Sequence, residues 1–232
     1  MRKLFFLASI ILLCSSSAFA DALTENFDNV ASLTGSGWVM TNNSSPAGTT
    51  GWFQGNTGIF GAQSGSANSY IAANFLNADA GGGNISNWLI TPELDLSSAI
   101  ILTFFTRTET GAPFADNLEV RLSTKGASTD VGATDSSVGD FVTLLLAINP
   151  SLDPNGYPQD WTQFSLTISG LGTGAQGRLA FRYTVPDTSV NGDYIGIDTV
   201  NVTPTPEPAT LSMLLIGAVA FGARKLARKR KQ

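Results

Sequence analysis

Between Asp21 and Thr203 the chain is cut every few residues by Gly, Asn, Ser, Asp or Pro, and no window in this body carries a convincing helical period. That punctuation leaves room only for short strands. Successive side chains of a strand point to opposite faces, so Leu118, Val120 and Leu122 enter a core while Glu119, Arg121 and Ser123 meet water. The same alternation sets Leu179, Phe181 and Tyr183 against Arg178, Ala180 and Arg182, and Phe164, Leu166 and Ile168 against Gln163, Ser165 and Thr167. Residues 100–105, 141–148 and 194–200 are more uniformly apolar and read as strands buried on both faces. Asp153-Pro154-Asn155-Gly156 and Asn191-Gly192 are turn sequences. Roughly ten strands of this length hide their apolar faces only as two packed layers, which predicts an all-β, two-sheet antiparallel β-sandwich of jelly-roll type. Residues 31–84, richer in Gly, Ser and Asn, are expected to be long loops around a few short strands. No internal repeat points to a propeller or solenoid.

The two ends obey other rules. Arg2 and Lys3, the apolar stretch Leu4 to Leu13 and Ala18-Phe19-Ala20 make residues 1–20 a secretory signal peptide, so the mature chain is expected to begin at Asp21. Cys14, the only cysteine, leaves with it. At the other end Pro206-Glu207-Pro208 is followed by an uncharged run, Ala209 to Ala223, and then by Arg224, Lys225, Arg228, Lys229, Arg230 and Lys231. As a helix that run rises about 22 Å, a short span for a hydrocarbon core roughly 30 Å thick. Lys and Arg are held on the cytoplasmic side, so the globular part is expected outside. Residues 204–208 read as an extended proline linker and 209–232 as one short transmembrane helix with its basic stop.

This three-part tail resembles the PEP-CTERM sorting signal of Gram-negative bacteria that make exopolysaccharide, matching at Pro206, Glu207, Pro208, the apolar run and the basic end. The resemblance implies an exosortase-type partner that recognises the tripeptide and removes the helix. Transit through the inner membrane then ends at the cell surface, in the extracellular matrix or in the medium. The alternative is an ordinary tail anchor.

Processing at both ends changes the charge. Of 13 Lys and Arg, two leave with the leader and six with the tail; the remaining five stand against 18 Asp and Glu, a formal charge of −13. Such a body repels phosphate backbones, which excludes nucleic acid as a partner. It also has no histidine, and so lacks the commonest general base and the Ser-His-Asp and Cys-His arrangements.

Several phrases of the body resemble the choice-of-anchor J domain, a bacterial surface module related in shape to cleaved-adhesin and MAM domains. They are Glu25-Asn26-Phe27-Asp28, Gly37-Trp38, Gly51-Trp52-Phe53-Gln54-Gly55, Ser69-Tyr70-Ile71-Ala72-Ala73-Asn74, Ile85-Ser86-Asn87-Trp88-Leu89-Ile90-Thr91-Pro92, Arg178-Leu179-Ala180-Phe181-Arg182-Tyr183 and Tyr194-Ile195-Gly196-Ile197-Asp198. The resemblance spans nearly all of residues 21–203 and implies a jelly-roll-like sandwich without indicating a ligand.

Candidate chemistry is sparse. Trp38, Trp52, Trp88 and Trp161 are potential sugar-stacking faces; Trp88 and Trp161 are expected in the core, whereas Trp52 sits in a polar, glycine-rich loop as a possible glycan contact. Asp116, Glu119, Asp187 and Asp193 are the acids from which a glycoside hydrolase pair would be drawn, but solvated charge paired with Arg121 or Arg182 is the expectation preferred. Gly81-Gly82-Gly83 lacks the lysine of a phosphate loop. In a jelly roll the first and last strands run side by side, which would bring Glu25 and Asp28 near Asp198. Related surface sandwiches hold calcium at such a place, so these three are a candidate structural calcium site, the plainer expectation being that Asp198 caps a turn and Glu25 faces water. Together these readings predict a non-enzymatic, exported component of the cell surface or exopolysaccharide matrix, structural or adhesive. The alternatives are a carbohydrate-binding module and, further off, a polysaccharide hydrolase or lyase.

Overall fold

The computed structural model describes residues 23–79 and 81–205. The leader (1–20), the sorting tripeptide Pro206, Glu207 and Pro208, the apolar run and the basic cluster lie outside the described residues.

Twelve strands follow one another: β1 Leu23–Glu25, β2 Val39–Asn42, β3 Phe53–Gln54, β4 Ile71–Asn74, β5 Ile85–Ile90, β6 Leu94–Asp95, β7 Ile100–Thr108, β8 Leu118–Ser123, β9 Thr143–Ile148, β10 Thr162–Ile168, β11 Gln176–Val185 and β12 Tyr194–Pro204. They form two antiparallel six-stranded sheets. The first has the order β10-β7-β12-β4-β3 with β1 beside β12; the second has the order β2-β5-β11-β8-β9 with β6 beside β11. Consecutive strands change sheet at every step except β3–β4, β5–β6 and β8–β9, in the manner of a jelly roll. The first and last strands do pair, with Glu25 opposite Val200.

The core lies where the inward rows meet. Ile71, Leu102, Phe104, Ile195 and Ile197 of the first sheet face Leu89, Leu118, Val120, Leu179 and Phe181 of the second, all fully buried. Phe104 of β7 and Phe181 of β11 touch edge to face across the layers, ring centres 5.0 Å apart. Each such side chain contributes about 1.5–3 kcal/mol by leaving water.

Both sheets are also covered on their outer faces. Residues 55–70 fold over the first, where Phe60, Tyr70, Ala72 and Tyr194 form a separate apolar cluster with Trp161 against it. Gly196 makes that layer possible: a Cβ there would stand 2.9 Å from Phe60, 2.9 Å from Trp161 and 3.0 Å from Tyr70. Residues 124–142 cover the second sheet with Val131 and Phe141, burying Trp88, Ile90 and Ala180. Ala180 and Arg182, expected in water from the alternation at 178–183, are buried for this reason. Arg182 lies over the Trp88 ring at 5.0 Å, donates from Nε to Ser86 Oγ, and pairs with Glu119 at 3.2 Å.

Three further expectations change. Residues 141–148, read as a strand buried on both faces, end in the edge strand β9, with Val142 70% and Leu144 48% exposed. Residues 30–36 form a 3₁₀ helix that buries Val30 and Leu33. Pro204, assigned to the linker from sequence, is the last residue of β12 opposite Ile100. A proline is tolerated at this terminal position because the next N–H, that of Thr205, supplies the bond, donating to Ala99 O at 2.8 Å.

Candidate functional sites

The four tryptophans divide by packing. Trp38 and Trp88 are fully buried, and Trp52, the possible glycan contact, is 7% exposed within the central core. Its ring face is spent on the core and presents no sugar platform. Trp161 is the most accessible of the four, yet its indole N–H is held by Gly61 O at 2.8 Å and its ring abuts Phe60 and Tyr70 edge-on.

The four candidate acids differ in their surroundings. Asp116 is buried: Oδ2 accepts from Thr108 Oγ1 at 2.6 Å, and Oδ1 accepts from Tyr183 OH at 2.6 Å and from the Asp193 amide at 2.8 Å. Burial pushes its carboxyl upward against these donors. Asp193, half-buried next to it, is pushed up to about 6 by burial and then by the Asp116 and Glu109 charges. Glu119 is engaged by Arg121 at 2.7 Å and by Arg182. Partly exposed Asp187 is a turn acceptor, held below the usual carboxylate range by the hydroxyl and amide of Ser189. Asp116 and Glu119 are thus already committed to protein donors, and Asp187 to its own turn.

Glu25, Asp28 and Asp198 share one neighbourhood without forming an ion cage. Asp198 is fully buried and outward-facing at the bulge of β12; Oδ2 accepts from the amides of Gln63 at 2.8 Å and Ser64 at 3.2 Å, and Oδ1 from the amide of Thr199 at 2.6 Å. Asp28 borders the same loop at Gly65. Glu25 Oε1 accepts from the Phe27 amide at 2.8 Å. Among the described residues no three His, Cys, Asp or Glu side chains gather as a metal-holding group. The arrangement therefore does not fit a three-carboxylate calcium site: Asp198 is compensated by amide donors and fastens the loop over the first sheet.

A concavity that sequence reasoning missed lies on the second sheet. A cleft of about 400 Å³ opens between the end of β2 and the covering loop, lined by Asn42, Asn43, Ser44, Ser45, Ala133, Thr134 and Asp135. Asn43 Nδ2 donates to Gly132 O at 2.8 Å and Asn84 Nδ2 to Asp135 Oδ2 at 2.7 Å, so both walls are fixed. Amides, hydroxyls and one carboxylate suit a hydroxyl-rich ligand. The run Asn42-Asn43-Ser44-Ser45 was the only visible sign; its opposite wall is about ninety residues away in sequence.

Residues 204–231 match the family model of the PEP-CTERM protein-sorting motif. The chain carries that motif. The K1 cleaved adhesin domain of Lys-gingipain from Porphyromonas gingivalis W83 is similar in structure, with TM-score 0.57 and 23% identity over 80% of this chain and 99% of that one. The K3 cleaved adhesin domain of the same protein superposes with TM-score 0.51 and 19% identity, covering 80% of this chain and 98% of the other. At these identities the likeness establishes the fold, a mostly β two-sheet sandwich. Among curated proteins no sequence matches the chain.

Proposed function

We propose that this protein is exported, sorted through its PEP-CTERM signal by an exosortase-type enzyme, and delivered to the cell surface or exopolysaccharide matrix as a non-catalytic structural or adhesive β-sandwich. The observation that carries this reading is the position of the motif. It begins at residue 204, where the last strand of the sandwich ends, so the tail is removable without taking a strand from either sheet. The choice-of-anchor J resemblance of the body supports the same reading, as does the acidic, histidine-free composition. Asp116 sequestered in the interior and Glu119 engaged by two arginines support a body without hydrolase chemistry.

The deciding experiment is the mature mass of the protein in an exosortase-bearing host. The parent is expected to lose the apolar run and basic cluster, and the variant with Pro206→Ala, Glu207→Ala and Pro208→Ala to retain them; equal masses would reduce the tail to an ordinary anchor. A second reading, a carbohydrate-binding module, draws on the polar cleft at Asn43, Thr134 and Asp135. It requires retention of the body on the native exopolysaccharide and loss of that retention with Asp135→Ala.

A further inference from the structure

We propose that the end of the sandwich from which the tail departs is a membrane-facing surface, seated on phospholipid head groups while the tail is uncleaved. The inference rests on the sorting reading, since it takes residues 209–223 to lie in the bilayer.

The tether is short. Thr205 is still part of the fold, its amide and Oγ1 both bonded to Ala99 O, at 2.8 and 2.6 Å. Only Pro206, Glu207 and Pro208 separate it from the apolar run. Three residues of any conformation span at most about 10 Å. The head-group layer on one side of a bilayer is itself roughly 5–8 Å deep. The folded body is thus held against the lipid surface, and the tether decides which part of it is nearest.

That part is built from residues 96–99 and 169–175. Leu171 donates to Leu96 O at 2.8 Å, and a Cβ at Gly170 would collide with Ser97, Ser98 and Ala99. The glycine loop is therefore packed directly beside the residue that holds Thr205. Neither segment contains a charged residue. Leu171 projects from the loop 49% exposed between Gly170 and Gly172. A lone exposed leucine is ordinary on a protein surface, and it gains meaning here only from its position.

The charge pattern points the same way. The four loops at the opposite end, residues 75–84, 109–117, 149–161 and 186–193, hold six carboxylates outside the interior (Asp79, Glu109, Asp153, Asp160, Asp187 and Asp193), the buried Asp116, and no Lys or Arg. Near the tail, Glu93 and Asp95 stand with Lys125, whose neighbour Gly126 lies beside Glu93, and with Arg178, which donates to Gly37 O and Thr91 O. Asp21, two residues before β1, and Glu207 in the tether add two further acids, so this end is less acidic than the opposite one and an anionic lipid surface repels it less. With screening over about 8 Å at physiological salt, only the nearest end feels that surface strongly.

The test uses the tail-bearing chain in a Cys14→Ser background, reconstituted into anionic phospholipid vesicles that carry a head-group nitroxide and no processing enzyme. A fluorophore is attached at Leu171→Cys in one sample and at Val190→Cys in another; Val190 is 59% exposed in a loop at the far end, so both sites accept a label without touching the core. Quenching several times stronger at residue 171 than at 190 is the expected result. Equal quenching, or stronger quenching at 190, overturns the proposal. So does a bias that arises only when the processing enzyme is added, which would assign the surface to that protein, or a chain that fails to float with the vesicles. Because no cleavage is needed, these outcomes are independent of the mature-mass test of sorting.

Discussion

Asp116 joins more elements than any other side chain described above: its carboxylate takes Thr108 of β7, Tyr183 of β11 and the amide that opens β12, while its backbone carbonyl takes Asn149 Nδ2 at 2.9 Å. Among the described residues it is compensated by hydrogen-bond donors and not by a cation. Asp116→Ala strands a hydroxyl, a phenol and an amide in the interior, and we expect a loss of about 3 kcal/mol in denaturant unfolding. A loss under about 1 kcal/mol would mean that water replaces the carboxylate. Its neighbour Asp193 makes the stability depend on pH. Its folded pKa, about 6, lies above the unfolded value of about 3.9. A raised pKa stabilises the fold fully below the unfolded value, and that contribution is lost as pH rises through the folded one. Burial shifts Asp116 and Asp198 in the same direction. The melting temperature is therefore expected to fall between pH 4 and pH 7. Asp193→Asn, which keeps the backbone amide to Asp116, should flatten part of that fall; an identical profile in parent and variant would remove Asp193 as its source. Nothing in the sequence separates Asp116 from the other acids, because what distinguishes it is the meeting of residues up to 77 positions apart.

At the scale of elements, the period-two pattern was reliable wherever one face of a strand is wet and misleading wherever both are covered. In β10 it placed Phe164, Leu166 and Ile168 inward and Gln163, Ser165 and Thr167 in water, as found, whereas in β8 the inward row Leu118, Val120 and Leu122 was right but Ser123, expected in water, is fully buried. In β11 the inward row was right, but the outward Ala180 and Arg182 lie under the loop 124–142, and a loop that crosses a sheet leaves no period in the strand beneath it. The cleft at Asn43 and Asp135 was illegible for the same reason, since that loop supplies one of its walls. The paired first and last strands were legible because the jelly roll dictates them, whereas the side-chain geometry around Asp198 depends on which donors the 61–66 loop offers. Phe141 tests the loop directly. It is fully buried, meets Trp88 with ring centres 5.8 Å apart, and its carbonyl accepts from Arg121. Phe141→Ala should cost about 3–5 kcal/mol and raise amide exchange across residues 126–141 before the rest of the second sheet. Exchange that rises uniformly over the whole sandwich would show the loop to be part of one cooperative unit.

For the whole molecule, the central question is where the fold stops and the address begins. Residues 21–208 contain no cysteine, so the stability of the body rests on the two sheets and their covers alone, which a body of this size is large enough to supply. The sequence drew the boundary at Thr203 because prolines follow at 204, 206 and 208. The structure moves it by two residues: Pro204 extends β12 opposite Ile100, and Thr205 closes the edge with two hydrogen bonds to Ala99 O. Residues 206–208 carry no such duty if the signal is a separable address. Bodies starting at Asp21 and ending at 208, 205 and 203 should all be soluble β proteins by far-UV circular dichroism, each with one cooperative thermal transition. The first two should melt together. The third loses the Thr205 bonds and the Pro204 pair, worth about 1 kcal/mol, and should melt roughly 2–4 °C lower. Trimming from 208 to 205 would lower the melting temperature only if the tripeptide belongs to the fold, and an exosortase cutting there would then have to unravel part of the sandwich it delivers.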